Sequence, residues 1–372
     1  MPRGGGWGLA VDIGGAFVKS AYWDGEGGIG PLPVIPATVL RDLDGRLLTG
    51  PEAVRLARTA PERAETMPLH TLTGGDGLLL GGEPVTSADL VAALLTRVAR
   101  DAWPGFGRSA PAELTMVVPA RWGLAERQDL GRAVAAAGLP DPRWVPAPLA
   151  VASCWSARRA ELPLDTPLAV CDAGATGLRI ALVRHGRTGH VSLGEVASGG
   201  HDLDEALFGL VEGRATAVGP DAWRLLLDRQ GPEGTRARAL LREDLTGVRE
   251  TLSASTGAAL VVPGQDSEFL LRRAEFEEVA RRPLHRAAEM LRRLVSGHGA
   301  PYAVLLAGGA ARTPLLSELL ADAVGTGVPD LLPDPVNATV LGAARLGSTV
   351  AATEERPRKA PYVFAKDGDL FK

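Results

Sequence analysis

Lysine is almost absent from this chain of 372 residues, and arginine supplies nearly all of its positive charge. Lysine occurs only at Lys19, Lys359, Lys366 and Lys372. No lysine ammonium is therefore available between residues 20 and 358 for chemistry or charge neutralisation. Basic residues are not in excess either, since the formal net charge is −4. A balance of this sign argues against a general nucleic-acid binder, which presents a basic surface.

Cysteine and long apolar runs are also scarce. The two cysteines, Cys154 and Cys171, are too few for a disulfide scaffold, so we expect a cytoplasmic protein with reduced thiols. The glycine-rich start lacks the apolar core of a signal peptide. No apolar run approaches the roughly 18 residues of a membrane-spanning helix, so no membrane partner is expected. These absences exclude the secreted, fibrous and membrane-embedded classes.

The composition that remains is globular, with 45% hydrophobic residues. Its strongest internal signal is a strand–turn–strand unit that occurs twice, at residues 7–12 and 16–23 and again at 168–174 and 178–184. Each unit places an aspartate at the end of its first strand, and Asp172 follows Asp12 by 160 positions. The repeat predicts two similar α/β halves with a shared cleft, which is where ligands often bind.

Hydrophobic periodicity supplies the remaining elements. Further strands are predicted at 114–119, 188–196, 258–262 and 302–307. Helices are predicted at 51–60, 87–101 (with Ser87 as N-cap), 122–137, 147–159, from 202 to about 210, 234–253, 274–296, 313–324 and 337–346. We expect Pro283 to break the helix at 274–296, because proline lacks a backbone N–H.

Four glycine-containing turns follow predicted strands. They lie at Gly14-Gly15, at Gly174-Ala175, at Gly199-Gly200 and at Gly308-Gly309. Without a Cβ, such turns let backbone N–H groups approach an anion closely. Two facing turns could cradle a polyphosphate, and the neighbouring aspartates could hold Mg²⁺ through water.

The order of motifs resembles the nucleotide-binding domain of the DnaK-type heat-shock chaperones, within the actin, sugar-kinase and chaperone ATPase superfamily. The segments that carry the resemblance span residues 7–348 and read DIGGAFVK, VVPARWGLAERQDLGRAVAAAGL, LAVCDAGATGLRIALV, SGGHDLD, LREDLTGVRETLSAST, LLAGGAARTPLL and DPVNATVLGAA. The resemblance implies an actin-like ATPase fold of two lobes, each a mixed sheet flanked by helices, with ATP or ADP and Mg²⁺ in the cleft.

The implied lobes have predicted boundaries. Lobe I covers 1–167, with a smaller subdomain at about 32–112, and is completed by the C-terminal helix at about 336–347. Lobe II covers 168–335, with a smaller subdomain at about 204–300. The charged, aperiodic segment 351–372 is predicted to be a flexible tail.

The implied site has two parts. Asp12 and Asp172 are the candidate catalytic and metal-holding residues. The candidate nucleotide contacts are Gly14, Gly15, Gly174, Ala175, Thr176, Gly199, Gly200, Arg249, Ser253, Gly308, Gly309 and Arg312.

Several positions depart from the family's pattern around the phosphates. Gly15 and Ala16 stand where the family has two threonines, and Ala147 stands where it has a glutamate. The family's upper-lobe lysine has no counterpart, and His70 or a nearby arginine is its nearest substitute in sequence. In the second turn, the hydroxyl of Thr176 is shifted by one residue or lost.

The residues expected to contact the nucleoside also depart from the family's pattern. Thr246, Arg249 and Glu250 replace the family's Glu, Lys and Arg contacts, whereas Ser253 and Arg312 match. The family's serine after the last glycine pair and its aspartate near the last helix become Ala310 and Val336. Phosphoryl transfer depends on positioned water and neutralised charge, so these losses together predict slow or absent ATP hydrolysis.

The resulting expectation is a chaperone-like nucleotide-binding protein, a weak ATPase or pseudo-ATPase. The family's peptide-binding domain is not visible in the sequence, so we expect a nucleotide-gated partner for another protein. Three alternatives remain open at this point: a small-molecule kinase of the same superfamily, an actin-like filament protein, and an interaction module that binds no nucleotide.

Overall fold

A computed structural model describes residues 6–351, except 73–76, 108, 160–161, 188–189, 197, 229–230, 263–267 and 326. The strands are β1 (Gly8–Ile13), β2 (Phe17–Trp23), β3 (Ile29–Pro31), β4 (Ile35–Pro36), β5 (Val39–Arg41), β6 (Leu47–Thr49), β7 (Ala64–Glu65), β8 (Leu78–Leu80), β9 (Glu83–Val85), β10 (Glu113–Val118), β11 (Pro142–Pro146), β12 (Pro167–Ala173), β13 (Leu178–Arg184), β14 (His190–Val196), β15 (Gly257–Val261), β16 (Glu268–Arg272), β17 (Ala303–Ala307) and β18 (Asp330–Leu331).

The helices alternate with these strands. They are α1 (Pro51–Ala57), α2 (Pro68–Leu72), α3 (Ser87–Ala102), α4 (Leu124–Ala136), α5 (Ala147–Ser156), α6 (Gly200–Val218), α7 (Pro220–Asp228), α8 (Pro232–Ala254), α9 (Arg273–Ser296), α10 (Pro314–Val324) and α11 (Ala338–Ala351). Short 3-10 helices lie at Pro61–Arg63, Trp103–Phe106 and Gly309–Arg312.

Two main sheets repeat one topology. The first sheet has the order β11-β10-β1-β2-β3, with β4 also pairing with β2, and the second has the order β18-β17-β12-β13-β14. In each sheet the central strand, β1 or β12, pairs antiparallel with the next strand of its hairpin and parallel with a strand from later in the chain. The structural repeat predicted from the sequence is therefore confirmed.

Helices cover both faces of each sheet. One face of the first sheet packs against α3 and α4, through side chains such as Leu9, Val11 and Leu95. One face of the second sheet packs against α6, α9 and α10, with Ile180 and Leu207 fully buried. Each sheet thus has its own hydrophobic core on its outer side, as two similar α/β halves require.

Two helices occupy the space between the sheets. α5 packs on the second sheet through residues such as Val151 and Trp155. α11 packs on the first sheet and on α5, and its contact face carries small residues, Ala343 and Ala344. The last helix therefore returns the chain to the first sheet. It begins one residue after the start of the helix predicted at 337–346 and continues to Ala351.

Two local predictions were wrong. The N-cap of α3 is Thr86, whose hydroxyl accepts the N–H of Asp89 in a capping box, so Ser87 is the first helical residue. Pro283 does not break α9, which continues from Arg273 to Ser296. Burial on both sides of the proline, at Ala280 and Leu284, holds the helix together despite the lost hydrogen bond.

Three smaller sheets accompany the two main sheets in the described part of the chain, and the subdomains that were expected around them stay a prediction. The sheets β6-β5-β7 and β8-β9 lie between β4 and β10, and the hairpin β15-β16 lies between β14 and β17. The lobe boundaries themselves stay a prediction. Apart from Ala351, the predicted flexible tail lies outside the described residues. Among the residues that the structure describes, no helix is long and apolar enough to cross a membrane.

Candidate functional site

A cavity of about 860 Å³ lies between the two halves and gathers the predicted site residues. Residues of both strand–turn–strand units, of α6 and α8, and of the 3-10 helix at Gly309–Arg312 line it. The predicted residues on its wall are Asp12, Gly14, Gly15, Asp172, Gly174, Ala175, Thr176, Gly200, Arg249, Ser253, Gly308, Gly309 and Arg312. Gly199 supports the wall from behind, where a Cβ would lie 2.3 Å from the backbone nitrogen of Gly177.

The two repeated turns have the same internal hydrogen bond. The N–H of Gly14 donates to the carbonyl of Phe17 at 2.9 Å, and the N–H of Gly174 donates to that of Gly177 at 3.0 Å. The turns also approach each other, since a Cβ on Gly15 would lie 2.5 Å from Cγ2 of Thr176. Equivalent turns from the two halves therefore meet at the floor of the cavity.

Backbone hydrogen bonds hold the other two glycine pairs in place. At the start of α6, the N–H of Gly200 donates to the carbonyl of Gly174 at 3.0 Å. The N–H of Gly308 donates to the carbonyl of Pro335 at 2.7 Å. These N–H groups, like that of Gly174, already donate inside the protein. The N–H groups of Ala175, after Gly174, and of Gly309, after Gly308, are therefore the candidates to bind an anion.

Gly308 is the position where glycine is required. Its φ of +87° lies in the left-handed region, and a Cβ there would lie 2.2 Å from the carbonyl oxygen of Ala173. The same Cβ would lie 3.0 Å from Oδ1 of Asp172. The tight turn after β17 therefore brings its backbone directly against the second aspartate.

A buried ion pair organises the far end of the cavity. Nε of Arg249 on α8 lies 2.6 Å from Oδ1 of Asp204 on α6, and both side chains are largely buried. The hydroxyl of Thr246 donates to the other oxygen of Asp204 at 3.0 Å, and Ser253 lies one turn after Arg249 on α8. Arg249 therefore fixes α8 against α6, in addition to facing the cavity.

The sequence analysis missed the cation at the first aspartate. Nζ of Lys19 lies 2.6 Å from Oδ2 of Asp12, and the two residues are paired across β1 and β2. Burial disfavours the charged ammonium, but the carboxylates of Asp12 and Asp172 outweigh this effect and raise the pKa of Lys19. By contrast, burial is the main cause that raises the pKa of Asp172.

The second half carries a cation at the equivalent position. Arg179 is paired with Asp172 across β12 and β13, and it follows Asp172 by the same seven residues that separate Lys19 from Asp12. Nε of Arg179 lies 3.1 Å from Oε1 of Glu195, although its N–H makes no hydrogen bond there. The repeat in the sequence was the signal that could have revealed both cations.

Arg121 completes a bridge across the cleft. It follows β10 in the first half, and its Nε lies 3.0 Å from Oε2 of Glu195 on β14 in the second half. The carboxylate of Glu195 therefore contacts arginines from both halves. The ion pair couples their positions at the cavity wall.

His70 lies on the cavity wall, but it is a poor substitute for the missing lysine. Burial lowers the pKa of its imidazole, and the nearby Arg179 and Arg121 lower it further. The neutral ring is therefore favoured near neutral pH. Positive charge in this cavity comes from Lys19 and the arginines instead.

The departures from the expected pattern line the same cavity. Ala16, Ala147, Ala310 and Val336 all lie on its wall, where the resemblance led us to expect hydroxyls or carboxylates. Ala147 is the first residue of α5 and is buried. The wall around the aspartates is therefore less polar than the family pattern implies.

A model of the Hsp70 protein family matches residues 77–357, which is well over half of the chain. This chain belongs to the Hsp70 family. The match agrees with the two repeated sheets and gives the chain the actin-like ATPase fold. Hsp70 nucleotide-binding domains are ATPase domains that bind ATP or ADP with Mg²⁺. The first aspartate turn lies before the matched region.

The floor of this cleft does not fit a metal ion bound directly to its carboxylates. The ammonium of Lys19 pairs with Asp12, so a side-chain cation already neutralises this carboxylate. Within the described part of the chain, no three His, Cys, Asp or Glu side chains form a group that could hold a metal ion. The predicted role of Asp12 and Asp172, which is to hold a metal through water, stays a prediction, and the ion pair with Lys19 argues against direct metal ligation by Asp12.

Proposed function

We propose that this Hsp70-family chain binds ATP or ADP in the cleft between its two halves. The observation that carries the proposal is the convergence of the four glycine turns and both aspartates on one cavity. A cavity of about 860 Å³ is within the range of small-molecule sites. The polyphosphate would lie over Gly15 and Ala175, between the two repeated turns.

The nucleoside would lie toward α8 and the turn after β17. Gly309 has no atom within 4 Å of the position that a Cβ would take, so its face of the turn is open. Ser253 and Arg312 line the same region. A flat base and a ribose can pack against a glycine backbone at such a position.

Affinity for the nucleotide can be measured by calorimetry with ATP, ADP and AMP on the full chain. We expect the di- and triphosphate to bind, and Gly309→Leu to weaken their binding by about tenfold or more, since the new side chain fills the cavity. Gly209→Leu is the matched control, because Gly209 is exposed on α6 and also faces open space. Wild-type protein that binds no nucleotide would disprove the proposal.

We further propose that hydrolysis is very slow or absent. Three acids on the cavity wall are already paired: Asp12 with Lys19, Glu195 with two arginines, and Asp204 with Arg249. Ala147 has no group that could orient a water. Single-turnover assays should show almost no product, whereas rapid turnover that Asp12→Ala abolishes would contradict this proposal.

If hydrolysis is slow, the main effect of nucleotide binding is a movement of the two halves. We propose that another protein binds to one of the resulting conformations. A small-molecule kinase is less well supported. Its catalytic aspartate would be expected at the end of β10, where this chain has Pro119, Ala120 and Arg121. Arg121 is a cation already engaged by Glu195, so it cannot act as a general base there.

A further inference from the structure

The floor of the cleft contains one aspartate and one cation from each half, at positions related by the internal repeat. Asp12 and Lys19 are neighbours across β1 and β2, and Asp172 and Arg179 are neighbours across β12 and β13. All four side chains line the same cavity. The repeated hairpins therefore bring two carboxylates and two cations together.

Lys19 is placed to neutralise the carboxylates of both Asp12 and Asp172. Its Nζ lies 2.6 Å from Asp12 Oδ2, and a Cβ on Gly14 would lie 3.5 Å from it, so the ammonium lies beside the first turn. The carboxylate of Asp172 also acts on it electrostatically. The ammonium therefore interacts electrostatically with the aspartates of both halves.

Arg179 supplies the second positive charge. It is only about one quarter exposed, and it lies between Asp172 on the neighbouring strand and Glu195 on the next. Two partly buried carboxylates at such a position would repel each other unless cations neutralised them. A bound metal ion is one solution, and covalently attached cations are another.

We propose that Lys19 and Arg179 are built-in counter-ions that take the place of a metal ion on Asp12 and Asp172, so that the cleft accepts a polyphosphate without a metal on these carboxylates. The part of the proposal that concerns polyphosphate rests on the proposed nucleotide-binding function. The neutralised floor lets anionic phosphates approach the turns at Gly15 and Ala175. Without these cations, the negative charges of Asp12 and Asp172 would repel the phosphates.

The first test uses metal alone. Binding of Mn²⁺ to the full chain without nucleotide is followed by electron paramagnetic resonance, for wild type, Lys19→Met and the double variant Lys19→Met/Arg179→Met. We expect the double variant to bind Mn²⁺ about tenfold or more tightly than wild type, because the carboxylates lose their counter-ions. Adding Asp12→Asn should abolish the gain, and Arg132→Met, in an exposed ion pair with Asp129, is the control.

Wild-type protein that binds Mn²⁺ as tightly as the double variant, through Asp12, would overturn the proposal. The wild-type chain itself provides a measurement that does not depend on whether the variants fold. Its affinity for ADP should change by less than about threefold between excess EDTA and excess Mg²⁺. A loss of about tenfold or more in EDTA would overturn the proposal as well.

Lys19→Met should make ADP binding dependent on Mg²⁺ by about tenfold or more, whereas Lys19→Arg should keep the wild-type behaviour. A Lys19→Met chain as independent of Mg²⁺ as wild type would contradict a role for this ammonium. If ADP binds in neither condition, the proposed nucleotide function fails. The Mn²⁺ measurement then still decides whether Lys19 and Arg179 replace a metal.

Discussion

Single residues in the cleft differ sharply in the space around them, and neighbouring glycines show this most clearly. Gly308 is in the left-handed region and lies against the backbone of Ala173, whereas Gly309 faces open space. Gly308 is buried and Gly309 is exposed, and only Gly308 lies against Asp172. The same residue type therefore serves tight packing at one position and an open surface at the next.

Gly308→Ala should destabilise the protein by about 1–3 kcal/mol, because alanine is strained at this φ and its Cβ collides with the carbonyl of Ala173. Gly309→Ala should leave the free energy of unfolding nearly unchanged. Urea unfolding of the two variants checks the difference. Equal stability of both variants would show that the turn relaxes freely.

His70 gives a prediction for pH. Because its pKa is lowered in the folded chain, the unfolded chain binds more protons below about pH 6.5, and the stability contributed by the neutral ring falls as pH drops through this range. Above it, both states are neutral and the contribution is constant. Wild type should therefore lose more stability than His70→Gln between about pH 7.5 and about pH 5.5 in urea unfolding. Parallel pH profiles of the two chains would contradict the prediction.

At the scale of elements, close helix packing explains the small residues of α11. A Cβ on Gly342 would lie 1.8 Å from the carbonyl oxygen of Ala150 on α5, so the two helices touch through their backbones. Ala343 and Ala344 are fully buried in the cluster that packs α11 on the first sheet. The small residues thus set the distance between the helices that separate the two sheets.

Gly342→Ala should destabilise the protein by about 1–3 kcal/mol, since the methyl group forces α11 and α5 apart. Gly213→Ala is the matched control in α6, where a Cβ meets nothing within 4 Å. That variant should be stabilised by about 0.5–1 kcal/mol through helix propensity. Thermal unfolding of both chains measures the contrast, and a stabilised Gly342→Ala chain would disprove the packing argument.

Pro283 tests how packing overrides a local signal. Pro283→Ala should stabilise α9 by about 1–3 kcal/mol, because it restores an N–H donor and removes a clash with the preceding turn. Leu284→Ala, at a fully buried neighbour, should instead cost about 2–5 kcal/mol. Denaturant unfolding distinguishes the two. A destabilised Pro283→Ala chain would mean that the surrounding core is built around the proline.

At the scale of the whole molecule, ion pairs join the two halves across the cleft. Arg121 reaches Glu195 near the floor, and Arg58, which follows α1, contacts Glu243 on α8. Glu243 lies one turn before Thr246, a residue of the cavity wall. Partly exposed pairs of this kind contribute little to stability, but they can bias the cleft toward its closed form.

Arg58→Ala should speed the release of a fluorescent ADP analogue by a factor of up to about five, with little change in stability, since an exposed ion pair is worth at most about 1 kcal/mol. Glu243→Gln should have the same effect, and the double variant should add nothing further. Arg132→Ala, in a surface pair within α4, is the control. Unchanged release rates in both single variants would remove this contact from cleft opening.

The sequence by itself determined the repeated strand–turn–strand units, most helices and the glycine turns that line the cleft. Local signals suffice for these, because hydrophobic periodicity and glycine turns depend on nearby residues. Only the tertiary structure decided how the cleft is neutralised. The partner of Asp12 is set by the register of β1 against β2, and the bridge from Arg121 to Glu195 by the approach of the two halves. Likewise, the continuity of α9 through Pro283 depends on burial along its whole face, because core packing outweighs one missing hydrogen bond.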